Sequence, residues 1–323
     1  GARREPNIPA TLVEIYEGLV AESQNRWPSL ALDLMGVNNL LSPIFVAGFY
    51  YKTFMWPASF WEPVYEKLIR RAAGMGIAPD QPDPDRYERA HAFCDVLVIG
   101  GGPAGIQAAR EAGEAGERVL LVEQMRWLGG NIEKPTTDAD TLAEMGNVTV
   151  MTRTTAFGQY DGNCFALVER VADHVPVPPE GQPRQRSWVA RAKRVVFATG
   201  AHERPLVFRN NDLPGVMLAS AARDYVNRFA ARPGRNAVVF TNNDSAYEAT
   251  LDLSAAGVDV SLLVDARAAI PATLAAKVRE AGIEILAGAV VTRAKGFGKL
   301  RAVDVAGLSS DGKSVVAPKR TVV

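Results

Sequence analysis

Apolar residues in the middle of the chain come in short bursts separated by glycine-rich turns. In "CDVLVIGGGPAGIQAAREAGEAGERVLLVEQ", residues 94–124, an apolar run at 96–99 leads into three glycines. An alanine-rich stretch at helical spacing over 104–115 follows, then a second apolar run at 119–122. Short apolar runs bounded by turn residues read as buried strands, so the stretch predicts strand, helix, strand. The same succession returns in "AVVFTNNDSAYEATLDLSAAGVDVSLLVDAR", residues 237–267, whose second strand ends at Asp265. Between the two, "RVVFATG" at 194–200 predicts a strand running into a glycine turn. Strands alternating with helices place the chain in the α/β class.

Residues 1–90 are patterned differently. "TLVEIYEGLVAESQ" fits a helix starting at Thr11 with Glu14 as its capping partner, or a strand. A clearer helix follows: Ser59 and Glu62 have capping-box spacing, Trp61, Tyr65, Leu68 and Ala72 share one face, and Gly74 stops it. Just ahead, "GFYYKTFMWPASFW" concentrates aromatic side chains that need a core or another chain to cover them. The proline-rich, acidic run "PDQPDPDRYERA", residues 79–90, reads as a linker. The expected organisation is an arm and linker over 1–90, a first dinucleotide-binding domain over 91–215, and a second, degenerate and truncated Rossmann-like domain over 216–323.

The first turn carries the chemistry. Gly100, Gly102 and Gly105 stand in G-x-G-x-x-G register between strand and helix. Gly100 lets the chain turn, Gly102 leaves room for a pyrophosphate, and Gly105 lets helix and strand pack closely. With Gly101, Pro103 and Ala104 they form a helix N-terminus that offers free N–H groups and a positive dipole end to phosphates. Glu123 closes the second strand, where its carboxylate can accept from ribose hydroxyls and repel a 2′-phosphate, which favours NAD or FAD over NADP. "MRWLGGN" follows, with Gly130 permitting backbone approach and Asn131 able to donate; a plain surface turn would look the same. Thr199 and Gly200 of the "ATG" turn are further candidates. In the second half, Thr241, Asn243 and Ala246 stand where glycines would, so a second dinucleotide is not expected, and Asp265 reads as a strand-end charge or cap.

Composition narrows the functional classes. Lys plus Arg and Asp plus Glu are 36 each, so no net field draws nucleic acid or acidic membranes. Asp33, Asn38, Asn39 and Pro43 interrupt the most apolar N-terminal stretch, which disfavours a membrane span. The only cysteines, Cys94 and Cys164, form no CxxC dithiol and fit a reducing, cytoplasmic setting. His91, His174 and His202 lack metal-ligand spacing, and no nucleophile–base signature appears; no metal site and no catalytic residue are assigned. The start "GARREPNIPA" reads as that of an excised fragment.

Several phrases together, "GFYYKTFMWPASFWEPVYEKLIRRAAG", "VIGGGPAG", "RTTAFGQYDGN", "ATGAHERPLVFRNNDLPGVMLASAARDYVNRF" and "TNNDSAYEA", resemble the α subunit of heterotetrameric sarcosine oxidase from about residue 9 onward. Proline and opine dehydrogenase subunits share this architecture. The resemblance implies two Rossmann-like domains in a glutathione-reductase-like arrangement, preceded by the aromatic arm. It implies an NAD held without turnover, with flavins mainly on the β subunit or its interface, and β, γ and δ subunits as partners. It places NAD contacts at Ala104, Glu123, Gln124, Met125, Asn131 and Ala156, of which Gln124, Met125 and Asn131 depart from the family's usual residue types. It also implies a shorter segment between Gly130 and Asn147 than the family has, and a fragment that does not complete the reaction. The competing expectation is FAD in the same turn of a redox subunit resembling proline, opine or disulfide-reductase flavoproteins.

Overall fold

The computed structural model describes residues 8, 10–22, 26–29, 31–40, 48, 54, 56–76, 82–130, 141–142 and 144–322. Contacts divide the chain into two compact units, one of residues 1–130 and 135–199, the other of residues 131–134 and 200–323. The boundary expected at 215/216 falls inside the second of these.

The first unit contains α1 (Glu66–Ala72), β1 (Tyr87–Ile99), α2 (Pro103–Glu114), β2 (Val119–Val122), β3 (Val148–Met151), β4 (Thr154–Tyr160), β5 (Cys164–Glu169) and β6 (Gln185–Phe197). They build one six-stranded sheet in the order β3-β2-β1-β6-β5-β4. Its first four strands are parallel, and β6, β5 and β4 continue it as an antiparallel meander. The two apolar runs pair directly, Val96 with Val119 through Ile99 with Val122. Strand alternation then sorts them. Leu97, Ile99, Leu120 and Val122 enter a core with Phe165 and Leu167, while Val96, Val98, Val119 and Leu121 pack on Ile106 and Ala109 of α2. Burial on both faces explains why these runs are unbroken rather than alternating, and each such side chain contributes about 1.5–3 kcal/mol.

Strand β1 begins at Tyr87, inside the stretch read as linker. The prolines end at Pro84, and "YERAHAF" beyond them alternates exposed and half-buried positions against β6. Just before it, Arg184 and Asp85 form a buried two-point ion pair at 2.9 and 3.0 Å. Arg184 also donates to the carbonyls of Ala172 and Val175, at 2.5 and 2.7 Å, fastening the β5–β6 connection to the base of β1.

Two N-terminal readings are corrected. Residues Ala10–Leu12 form a single 3₁₀ turn, neither the expected helix nor a strand, and Glu14 caps nothing there because its carboxylate reaches Arg153. The helix expected at Ser59 starts instead as a 3₁₀ turn over Ala58–Phe60 behind Pro57, with no side-chain cap, and passes through a π turn at Trp61–Tyr65 before α1. Pro63 supplies the reason: without an N–H it cannot join regular α hydrogen bonding, and the turn widens around it. Of the aromatic segment, Gly48, Phe54 and residues from Trp56 onward are described. Phe54 and Phe60 flank Tyr65 at ring distances of 5.3 and 6.3 Å, yet no residue of these helical turns is buried and Trp56 is 84% exposed. Among the described residues, none of these is buried within the chain. No described helix is long and apolar enough to cross a membrane.

The second unit contains α3 (Ala219–Phe229), β7 (Asn236–Thr241), α4 (Ser245–Ala255), β8 (Asp259–Asp265), α5 (Ala272–Glu280) and β9 (Glu284–Ala287), with β7-β8-β9 a parallel sheet. A separate antiparallel sheet follows, β10 (Ala289–Gly296), β11 (Leu300–Leu308) and β12 (Val315–Val322). Both units are thus α/β with Rossmann-type parallel strands, as expected.

Candidate functional site in the first glycine turn

Each glycine of the β1–α2 turn has its own reason to be bare. Gly100 sits at φ 107°, and a Cβ there would lie 2.3 Å from the carbonyl oxygen of Ala198. A Cβ on Gly101 would meet Leu128 Cδ2 at 2.4 Å, and one on Gly105 would lie 1.8 Å from the Gly100 carbonyl oxygen. Gly100 and Gly105 are required by the fold, since a Cβ on either would run into backbone, whereas at Gly101 a side chain would have to push Leu128 aside. Gly102 is not required: its backbone is ordinary extended chain (φ −75°, ψ −178°), and an added Cβ would meet nothing nearer than Gly130 Cα at 3.8 Å. The chain does not need a glycine at this position; a group approaching from outside would.

The surroundings fit a phosphate-bearing group. The first helical bond of α2 runs from Ile106 N–H to the Gly102 carbonyl, 2.9 Å, so the N–H groups of Ala104 and Gly105 precede the intrahelical ladder, and Pro103 at the first helical position has none to satisfy. Glu123 is buried at the end of β2, and its two oxygens accept from Gly101 N–H at 2.6 Å and Met125 N–H at 2.8 Å. The carboxylate therefore anchors the glycine turn as well as facing it. An ionised carboxylate has about four acceptor directions, so two remain for ribose hydroxyls. Gly129 N–H donates to the Gly101 carbonyl at 2.8 Å, and Gly130, at φ 59°, brings its bare Cα to the Gly102 side of the turn.

The structure therefore gathers Gly100, Gly101, Gly102, Pro103, Ala104, Gly105, Glu123, Met125 and Gly130 around one turn. Gln124 joins them in sequence, its carbonyl already accepting from Arg170. Ala156 is half-buried on β4 opposite Leu167, against the core that contains Phe165. Thr199 is exposed and follows Ala198, whose N–H bonds the Ile99 carbonyl at 2.8 Å. Gly200, at φ 71°, belongs to the second unit, and Asn131 lies outside the described residues.

The turn of the second unit is closed by its own side chains. Asn243 Oδ1 accepts from the N–H and hydroxyl of Ser245, at 3.0 and 2.7 Å, so it occupies the start of α4 where a phosphate would sit. Asp265 is fully buried. It accepts from the Tyr247 hydroxyl (2.9 Å) and from the backbone, Nε and Nη2 of Arg267 (2.9, 3.1 and 2.8 Å), while Arg267 also bridges to Asp244 at 2.7 Å. Burial pushes this carboxyl up, but the Arg267 guanidinium and N–H and the Tyr247 hydroxyl outweigh it, so it titrates below the ordinary aspartate value; burial first and then Asp265 push Tyr247 up to about 12. The cap reading of Asp265 omitted these partners, although an arginine two residues on was a visible signal. A depressed carboxyl stabilises above its unfolded pKa of about 3.9 and ceases to do so as pH falls through the folded value. Chemical denaturation from pH 7 to pH 3 should thus show an acid loss of second-unit stability that Asp265→Asn removes. That variant should cost roughly 2 kcal/mol at pH 7 and leave nucleotide affinity unchanged.

Comparison with known proteins bears on the family rather than on these contacts. The family model for pyridine nucleotide-disulphide oxidoreductases matches residues 94–319, and such a domain implies FAD or NAD(P) binding. Sarcosine oxidase subunit alpha of Rhizobium meliloti (strain 1021) is 50% identical over 94% of this chain and 32% of its own length. The subunit of the same name from Corynebacterium sp. (strain P-1) is 42% identical over 74% of this chain and 26% of its own. The chain thus spans between about a quarter and a third of the length of these curated relatives. Among solved structures, L-proline dehydrogenase from P. horikoshii is 26% identical over 72% of this chain and 41% of its own, with a TM-score of 0.43. By the family-model match over residues 94–319 and the identity to the sarcosine oxidase alpha subunits, the chain belongs to the pyridine nucleotide-disulphide oxidoreductase family and is a relative of sarcosine oxidase subunit alpha.

Proposed function

We propose that the first unit holds NAD and that the chain is the nucleotide-binding part of the α subunit of a cytoplasmic, sarcosine oxidase-like heterotetramer. That complex would oxidise N-methylglycine on flavins carried mainly by a partner subunit, with β, γ and δ subunits as partners. The observation that carries the nucleotide reading is Gly102, a residue bare for no reason internal to the chain, on a helix start beside a buried carboxylate. Gly100, Gly101, Gly102, Pro103, Ala104 and Gly105 would take the pyrophosphate. Glu123, with Gln124 and Met125 beside it, would take the adenosine ribose; Gly130, Ala156 and Thr199 of the same unit are further candidate contacts, and Asn131 and Gly200 are candidates on sequence position alone. When bound, NAD supplies hydride-accepting chemistry; in this reading it is retained without turnover. The amine-oxidase part rests on the relatives named sarcosine oxidase subunit alpha and on their identity to this chain.

A dithiol mechanism of the disulfide-reductase kind has no support in the cysteines. Cys94 pairs with Ala192 and Cys164 with Arg191, on strands either side of β6, which sets them two strand spacings apart, roughly 10 Å. That exceeds the span of a disulfide. Burial also pushes the Cys94 thiol up to about 11, so it is not a nucleophile at neutral pH. The test is mass spectrometry of the small molecule released when the purified protein is denatured, with a visible spectrum taken beforehand. NAD and a colourless protein are expected. Release of FAD with a flavin band would replace this reading with the flavoprotein alternative.

A further inference from the structure

Three guanidinium groups and one distant carboxylate surround the turn that follows Glu123. Glu14 accepts from Nε and Nη2 of Arg153 at 2.5 and 2.9 Å, and its Oε2 lies 3.9 Å from Nη1 of Arg126. Arg170 donates to the Leu12 carbonyl at 2.7 Å, two residues before Glu14, and to the carbonyl of Gln124. All three arginines are tied to the 123–126 turn. Arg126 is part of it, Arg153 donates its N–H to the Met125 carbonyl at 2.8 Å, and Arg170 holds Gln124. The Arg153 hydrogen bond, working against burial, keeps the Glu14 carboxyl below its ordinary value, so it is charged at neutral pH.

In nucleotide-binding turns of this kind, an arginine near the ribose acid accommodates a 2′-phosphate, and guanidinium is the side chain best shaped to grip one. Arg126 and Arg153, tied through the backbone to the turn that follows Glu123, are the groups that would serve a 2′-phosphate beside a carboxylate that disfavours it. Glu14 resolves the conflict, because it engages both Nε and Nη2 of Arg153 and stands beside Arg126. We propose that Glu14 is a specificity-determining residue: it withholds Arg153 and Arg126 from a ribose 2′-phosphate, so that the site takes NAD and refuses NADP. Two carboxylates then share the discrimination, Glu123 by repulsion at the ribose and Glu14 by sequestering the cations beside it. The inference rests on the reading of the first unit as a dinucleotide site.

The test is titration of the ligand-stripped full chain with NAD and with NADP, for wild type, Glu14→Gln, Glu123→Ser and the double variant. Wild type is expected to bind NAD and to bind NADP at least about a hundredfold more weakly. Glu14→Gln alone should narrow that ratio roughly tenfold. Glu123→Ser alone should gain little NADP affinity, since Arg153 stays occupied, whereas the double variant should gain more than the two single effects combined, with a steep salt dependence. Glu123→Ser also removes the Gly101 anchor; should it fail to fold, the Glu14→Gln ratio decides alone. An unchanged ratio in Glu14→Gln overturns the assignment while leaving the dinucleotide site standing. Binding of neither dinucleotide by folded wild type overturns the site itself.

Discussion

Gly102→Ala is expected to lower dinucleotide affinity at least a hundredfold, about 2.7 kcal/mol, without unfolding the chain. The added methyl would sit 3.8 Å from its nearest protein neighbour, an ordinary contact, so the free protein has no cause to rearrange. Two small terms oppose each other in the stability: a less flexible unfolded chain favours alanine, and the helix-cap position of Gly102 disfavours it, leaving a net change within about 1 kcal/mol. A pyrophosphate drawn to the free N–H groups of Ala104 and Gly105 has to approach over that same Cα. One methyl there lengthens charge-assisted hydrogen bonds that are worth about 1.5–3 kcal/mol each. Isothermal titration with NAD, set beside thermal melts of the unliganded variant, separates the two effects. Wild-type affinity in Gly102→Ala would remove the ligand from this turn.

The turn was readable in the sequence because its chemistry is local. The G-x-G-x-x-G spacing, the two apolar runs and Glu123 lie within one stretch from Val96 to Glu123, and the strand pairing of Val96 to Ile99 with Val119 to Val122 follows from them. The anchoring of Gly101 by Glu123 is a matter of side-chain direction, which spacing does not encode. Glu14 was misread as a helix cap for a similar reason: its partner Arg153 is 139 residues away, and nothing in a local window links them.

The extent of the sheet was harder to read than its centre. Residues 87–93 alternate weakly beside a proline run, and what holds them is a buried pair, Asp85 with Arg184, that only the folded chain brings together. The meander of β4, β5 and β6 and the antiparallel sheet of β10 to β12 pair through non-local backbone bonds, and neither was anticipated. In the second unit, the missing glycines correctly indicated a turn unlike the first. The physical closure, Asn243 over the start of α4 and Arg267 on Asp265, came from side chains whose targets lie across the turn.

Gly105→Ala is expected to destabilise the first unit by at least about 3 kcal/mol, and to weaken nucleotide binding as a consequence. Here the Cβ would fall 1.8 Å from the Gly100 carbonyl oxygen and 3.2 Å from the Ala198 methyl. The first obstacle is backbone, so no rotamer change relieves it. Either α2 moves away from β1, opening the packing of Ile106 and Ala109 on Val96 and Val98, or the Gly100 turn shifts into the Ala198 carbonyl that already lies against it. Both routes strip contacts from residues that are almost fully buried, where lost packing is not recovered by solvent. Urea denaturation followed by circular dichroism should show the loss. The decisive comparison is with Gly102→Ala, three residues away and chemically the same change: one variant should lose affinity with its fold intact, the other should lose both. Equal stability in the two would mean that the close approach of α2 to the glycine turn does not carry the packing assigned to it.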